Sequence, residues 1–167
     1  MIRLELTNAK AFINSFNPRA EKNGEDTRLA GDISVTVATN ADILAEFAPA
    51  LKSFLFDPNG LKDLADGSPL RFPEIPAIHW NDEMTGASFD LNVGVGKPVE
   101  FADAKVNKFT LEPIAGGSVR LSFRVQVHPD EKQAGKLASF IQSEVEISLR
   151  PAKLPELKDG GAQGGAQ

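Results

Sequence analysis

Apolar and polar residues alternate along this chain with two different periods. Ile2, Leu4 and Leu6 alternate with Arg3, Glu5 and Thr7, the period-two pattern of a half-buried strand. The extended character continues through Phe12 and Phe16, after a bend predicted near Asn8. Residues 17–31 then lose the pattern: they are polar and charged, contain Pro18 and Gly24, and offer nothing to bury until Leu29. This stretch reads as a mobile connector or a hairpin arm, with a protein-contact loop as the functional alternative. Ile33, Val35 and Val37 resume the alternation.

The period changes at Asn40, a good helix N-cap. Ile43, Leu44, Phe47, Leu51, Phe54 and Leu55 follow helical spacing over 40–55, and Pro49 inside that run predicts a kink or two short helices. "DPNG" at 57–60 and "DGSP" at 66–69 are turn signals, and "LKDLA" between them suits one helical turn. Pro73 and Pro76 confine the next stretch to a sheet edge or an extended loop, and "NDEMTG" at 81–86 reads as a turn.

Phe89, Leu91, Val93 and Val95 alternate again, with Gly94 and Gly96 pointing to a bulge or a close backbone approach. A short strand is predicted around Val99 to Phe101 and a longer one from Lys105 to Glu112, with Val106 out of phase with Phe109 and Leu111, the mark of a bulge. Gly116 and Gly117 supply a hairpin turn before the clearest alternation in the chain: Val119, Leu121, Phe123, Val125 and Val127. A weaker helix is predicted near 130–141 with Pro129 in its first turn, and Val145, Ile147 and Leu149 form a last strand.

This inventory predicts a mainly β, antiparallel fold, because alternating strands have one wet and one buried face. The architecture expected is a β-sandwich or a partly open barrel with the 40–55 helical segment over one end, and a meander of 105–112, 118–128 and 145–150 as its best local piece. Residues 1–157 form one β-rich domain, and the Gly/Gln-rich residues 158–167 are expected to be disordered.

Chain length and composition narrow the function. The 167 residues carry 41% apolar and 25% charged side chains, a balance that suits one globular domain with a core. There is no cysteine, which removes disulfides, thiolate metal sites and cysteine nucleophiles. No basic stretch followed by an apolar run opens the chain, and no segment approaches the length of a membrane span. The expected location is cytoplasmic. The net charge of −5 argues against wrapping duplex DNA on a basic surface.

Sites for chemistry are scarce. His79 and His128 are the only histidines, too few for a zinc site without carboxylates recruited from elsewhere. "DPNG" and "NDEMTG" lack the acidic spacing of a calcium loop. There is no G-x-S-x-G elbow, and "GVGKP" at 94–98 cannot open a phosphate-binding helix because Pro98 blocks it. The expectation is a non-enzymatic binding protein without metal or cofactor.

One surface stands out. The wet face of the 118–128 strand carries Arg120, Ser122, Arg124, Gln126 and His128, and its hairpin partner adds Lys105, Lys108 and Thr110. Successive wet-face residues lie about 6.5–7 Å apart, close to the phosphate spacing of a single strand. The candidate nucleic-acid contacts are therefore Arg120, Arg124, Lys105, Lys108 and His128, with Phe72, Trp80, Phe101 and Phe109 as candidate aromatic platforms, most of them expected to be core residues. The competing expectation is that Arg120 and Arg124 pair across the sheet with Glu112, Glu144 or Glu146.

The runs "AEKNGEDTRLAGDISVTV" (20–37), "LKSFLFD" (51–57) and "VHPDEKQAGKL" (127–137) together resemble small early-region proteins of tailed bacteriophages and prophages, over most of residues 1–157. That resemblance implies an accessory role in phage DNA replication, recombination or host takeover, inside the host cytoplasm. It assigns no functional residue. The acidic charge and Gly/Gln tail are also similar to single-stranded DNA-binding proteins, although the acidic, apolar tail tip of that family is missing here. Single-stranded DNA is the first partner expected. The alternative is a host or phage protein, bound by an interaction module that inhibits it or assembles with further copies.

Overall fold

A computed structural model describes residues 2–57, 69–92, 94 and 96–154. Seven strands lie in chain order: β1 Leu6–Asn23, β2 Asp26–Asn40, β3 Ile78–Trp80, β4 Met84–Asn92, β5 Val99–Ile114, β6 Ser118–Val127 and β7 Ser143–Arg150. Their hydrogen-bonded order is β3-β5-β4-β7-β1-β2-β6, and β5 also pairs with β6. That last pairing closes six of the strands into an antiparallel barrel. The fold is mainly β and antiparallel, as the alternation predicts, and of the two expected architectures it is the barrel, with its ring of six strands closed. Closure leaves the long strands paired on both sides, so little backbone is left unsatisfied at sheet edges.

The alternating residues fill the barrel. Ile33, Val35, Phe89, Leu91, Val106, Phe109, Leu121, Val125 and Ile147 are all buried. A 3-10 helix, Ala41–Glu46, and helix α1, Leu51–Leu55, flank Pro49 as two short pieces, and the Asn40 side chain caps the first by accepting from the Asp42 N–H. The Ala41 N–H reaches the Gly117 carbonyl at 2.8 Å, which places this helical pair over the end where β5 turns into β6. Buried Leu44 and Leu55 plug that end. Helix α2, Glu131–Phe140, covers the opposite end: it buries Leu137, and its Gln133 side chain donates to the Glu100 carbonyl near the start of β5. A capping box between Asp130 and Gln133 starts α2, so Pro129 precedes the N-cap instead of lying in the first turn.

Five further expectations need correction, two of them brief: residues 2–5 alternate in burial but lie ahead of β1, and Met84–Gly86, expected in a turn, open β4. The other three concern strand pairing. First, residues 17–31 are not a loop. β1 and β2 stay paired from Asn17↔Asp32 to Asn23↔Asp26, around a turn of Gly24 and Glu25 with Gly24 at φ +69°. They form the hairpin arm that was the other reading. The β1–β7 ladder stops at Ile13↔Ser143 and the β2–β6 ladder at Gly31↔Val127, so the ribbon runs on past the barrel wall with both faces wet, which erases the alternation. Second, β7 does not join β5 and β6 in a meander. It pairs with β1 and β4, while β6 pairs with β2 and β5. Third, the two strands expected at 99–101 and 105–112 are one strand, β5, carried through irregularities at Asp103 (φ 55°) and Lys108 (φ 54°).

The bulge foreseen from Val106 and Phe109 is present: the β5–β6 register shifts between Asn107 and Thr110. The bend near Asn8 is also present, as a register shift between Leu6 and Ala9 with Asn8 at φ 46°. Gly94 and Gly96 both take positive φ, yet among the described residues nothing lies within 4 Å of where a β-carbon would stand on either. The turns predicted at 57–60 and 66–69, the helical turn between them, Val93, Val95 and the 158–167 tail lie outside the described residues, except Asp57 and Pro69.

Candidate functional site

The outer faces of β5, β6, β2 and β1 form one continuous polar surface, because wet positions on neighbouring strands are in register. Arg124 lies opposite Ser34 on β2, Gln126 opposite Asp32, and Asp32 opposite Asn17 on β1. Hydrogen bonds knit the surface together. Asn14 donates to Thr36 Oγ1 (2.8 Å), which is 3.1 Å from Ser122 Oγ. Gln126 donates to Asp32 at 3.2 Å, and Arg124 Nε donates to Asn107 Oδ1 at 3.0 Å.

The five basic candidates do not share one fate. Arg120 is held by Glu112 at 2.7 Å, the cross-strand pairing that competed with ligand binding in the sequence reading. Lys105 lies 3.5 Å from Glu83, and His128 Nε2 lies 3.4 Å from Glu21 Oε2 on the hairpin arm. That Glu21 oxygen is sheltered and accepts no hydrogen bond among the described residues, with Arg19 Nη2 a further 3.9 Å neighbour. Glu144 and Glu146 are not partners of β6, because two strands stand between β7 and β6 in either direction round the ring. Among the described residues, Lys108 and Arg124 form no ion pair, although Arg124 keeps its bond to Asn107.

Lys108 and Arg124 border the same depression, a groove of about 300 Å³ lined also by Ser15, Asn17, Asp32, Ser34, Thr110 and Ser122. Its carboxylate, Asp32, is already engaged by Arg19 at 2.7 Å. Burial works to raise the Asp32 pKa. The hydrogen bonds from Arg19 and Gln126, with the positive charges of Arg19 and Arg124, outweigh that and hold it below the usual aspartate value. Asp32 therefore stays ionised at neutral pH with its charge compensated, and Lys108 and Arg124 set the sign of the groove.

Lys108 also borders a second depression of about 440 Å³, formed with His79, Trp80, Asn81, Phe109 and Thr110 where β3 lies against β5. The bulge puts Lys108 there: two residues of β5 are accommodated between the Asn107↔Arg124 and Thr110↔Ser122 pairs, and the side chain is exposed. Of the four aromatic candidates, Phe101 and Phe109 are core residues. Phe72 is exposed and rests on Phe54, with ring centroids 5.5 Å apart. Trp80 is half-buried and stands edge-on to Phe47 at 5.8 Å.

Sequence reasoning did not single out Asp32, Asn107 or Arg19 as parts of this surface. Their proximity depends on strand neighbours, which alternation does not encode. The phase jump at Val106 was the one available sign that Lys108 is special. Among the described residues, no cluster of three or more His, Asp or Glu side chains is placed to hold a metal ion, and no helix is long and apolar enough to cross a membrane. Neither family models, curated proteins nor solved structures contain a match to this chain.

Proposed function

We propose that this protein is a non-enzymatic binder of single-stranded nucleic acid, serving phage DNA replication or recombination in the host cytoplasm. The observation that carries the reading is the pairing state of the basic strip. Arg120, Lys105 and His128 lie within 4 Å of carboxylates, whereas Lys108 and Arg124 face one polar groove and form no direct ion pair among the described residues, the groove's Asp32 being held by Arg19. A negative overall charge is compatible with this, because the local field over a groove governs capture of a phosphate chain. Hydroxyl and amide groups of Ser15, Asn17, Ser34 and Ser122 offer hydrogen bonds that position a backbone without reading sequence.

Fluorescence anisotropy with a labelled oligothymidylate at low salt tests the proposal. Binding is expected to weaken with salt, with a slope of about −0.7 per phosphate contacted. Lys108→Glu and Arg124→Glu should each weaken it about tenfold or more, and Arg120→Glu much less. Absence of binding at low salt, or binding indifferent to salt and to both substitutions, overturns the reading.

A second reading, a protein-interaction module, is favoured by the hairpin arm. It carries Arg19, Lys22 and Arg28 against Glu21, Glu25 and Asp26, and its outer part has two unpaired strand edges. Such edges recruit partner strands. Retention of a host protein that is lost on shortening the arm would support this reading. A monomer with no retained partner would count against it.

A further inference from the structure

The depression beside the groove has the chemistry of an aromatic-base subsite. We infer that it receives one base of the bound strand, stacked on Trp80, while Lys108 holds the adjoining phosphate. This rests on the single-strand reading above and deepens it.

Three observations carry the inference. The first is continuity: Lys108 and Thr110 line both depressions, so a chain lying along the groove past Arg124 reaches the second depression without leaving the protein surface. The second is support for the platform. Trp80 pairs with Phe109 across the β3–β5 ladder, and Phe47 meets both rings edge-on, at 5.8 Å to Trp80 and 5.5 Å to Phe109. A ring braced in this way keeps its orientation when a second ring stacks on it. The third is the arrangement of polar groups. His79 Nδ1 lies 3.3 Å from Thr110 Oγ1, which leaves Nε2 as its remaining polar atom, and Asn81 adds an amide able both to donate and to accept. These suit the edge of a base without selecting one strongly. The volume, about 440 Å³, falls in the range of small-molecule pockets and accommodates a nucleoside.

The same base-plus-phosphate chemistry is offered by a free nucleotide, and the test separates the two sources. Trp80 is the only tryptophan in the chain, so its emission reports on this site alone. Oligothymidylate, an abasic oligomer of equal length and thymidine monophosphate are titrated separately. Intrinsic fluorescence is followed in each case, with anisotropy for the oligomers. Quenching of Trp80 by oligothymidylate, with the abasic oligomer bound at least about fivefold more weakly and without quenching, supports the inference. Trp80→Leu should lose about five- to a hundredfold in affinity for oligothymidylate, and Trp80→Phe should recover most of it, which separates stacking from a folding defect. Quenching by the monophosphate at similar concentration would support the subsite and assign it to free nucleotides. Equal binding of both oligomers with unchanged emission overturns the subsite and leaves the groove reading standing. Failure of both oligomers to bind overturns the two together.

Discussion

The ring of Phe16 lies directly over Gly31 on the neighbouring strand, so that a β-carbon at position 31 would sit 2.3 Å from the ring edge. Phe16 is buried at the end of the barrel, where the arm leaves the wall. It covers the backbone that a side chain at 31 would otherwise cover. Gly31→Ala should therefore destabilise by about 1–3 kcal/mol through overpacking, a loss of several degrees in Tm. Phe16→Leu should recover part of that loss in the double variant. Denaturant unfolding of the two single variants and the double variant measures the coupling.

Lys108 occupies a left-handed backbone conformation, at φ 54°, which costs a residue with a β-carbon about 1–2 kcal/mol. Lys108→Gly removes that strain while adding freedom to the unfolded chain. Its stability should stay within about 1 kcal/mol of the parent. Oligonucleotide affinity should nonetheless fall. Thermal melts and anisotropy on the same preparation would dissociate the two roles of the bulge.

Asp32 provides a pH prediction. Its carboxyl is held below the usual value by Arg19, Gln126 and Arg124, against the opposing effect of burial. A folded pKa below the unfolded one means that the native state favours the ionised form. The resulting stability is fully present above the unfolded value, about 3.9, and is lost as pH falls through the lower folded value. Asp32→Asn should thus be less stable than the parent near neutrality, and the gap should close in acid below about pH 4. Urea midpoints measured across pH 2.5–7 check both the sign and the window.

Arg120 and Glu112 form an exposed pair at 2.7 Å. Exposed pairs contribute at most about 1 kcal/mol. Arg120→Ala should shift stability by less than that and leave oligonucleotide affinity within about threefold of the parent. A larger loss of affinity would move the binding surface from the Arg124 groove toward the β5–β6 turn.

The arm can be shortened without touching the barrel core. Joining Arg19 to Ala30 through an Asn-Gly turn removes residues 20–29 and keeps a register in which a tight turn closes a paired position, as Gly24 and Glu25 do between Asn23 and Asp26. The circular dichroism spectrum should remain that of a β protein, and Tm should move by only a few degrees. Collapse of the fold would show that the arm is structural after all.

Period-two alternation located the inner half of β2, the later half of β4, β5 in two pieces, β6 and β7, because each has one face in the barrel and one in water. The Lys108 bulge was legible because an inserted residue shifts the phase between Val106 and Phe109. The arm was ambiguous, since Arg19 to Arg28 have water on both faces and hydrophobicity then carries no period. Ring closure was not legible at all. Val119 to Val127 reads the same whether β6 has one neighbour or two. The groove follows from closure: Arg124, Asp32 and Asn17 meet only because β6, β2 and β1 are consecutive in the wall. Arg120 could be matched with Glu112 from sequence because a hairpin joins their strands, whereas Glu144 and Glu146 are parted from β6 by the order of the ring.

The pairing of β1 with β7, from Leu6↔Leu149 to Ile13↔Ser143, has a consequence for biosynthesis. The first strand made meets its second neighbour only after almost all of the described chain has been translated. Until then Ile13 and Val35 have no enclosed interior to enter, and the nascent β1–β2 hairpin exposes one apolar face to solvent. The barrel is therefore sealed late, and the interval before sealing is when this chain is most vulnerable to chaperone capture or proteolysis.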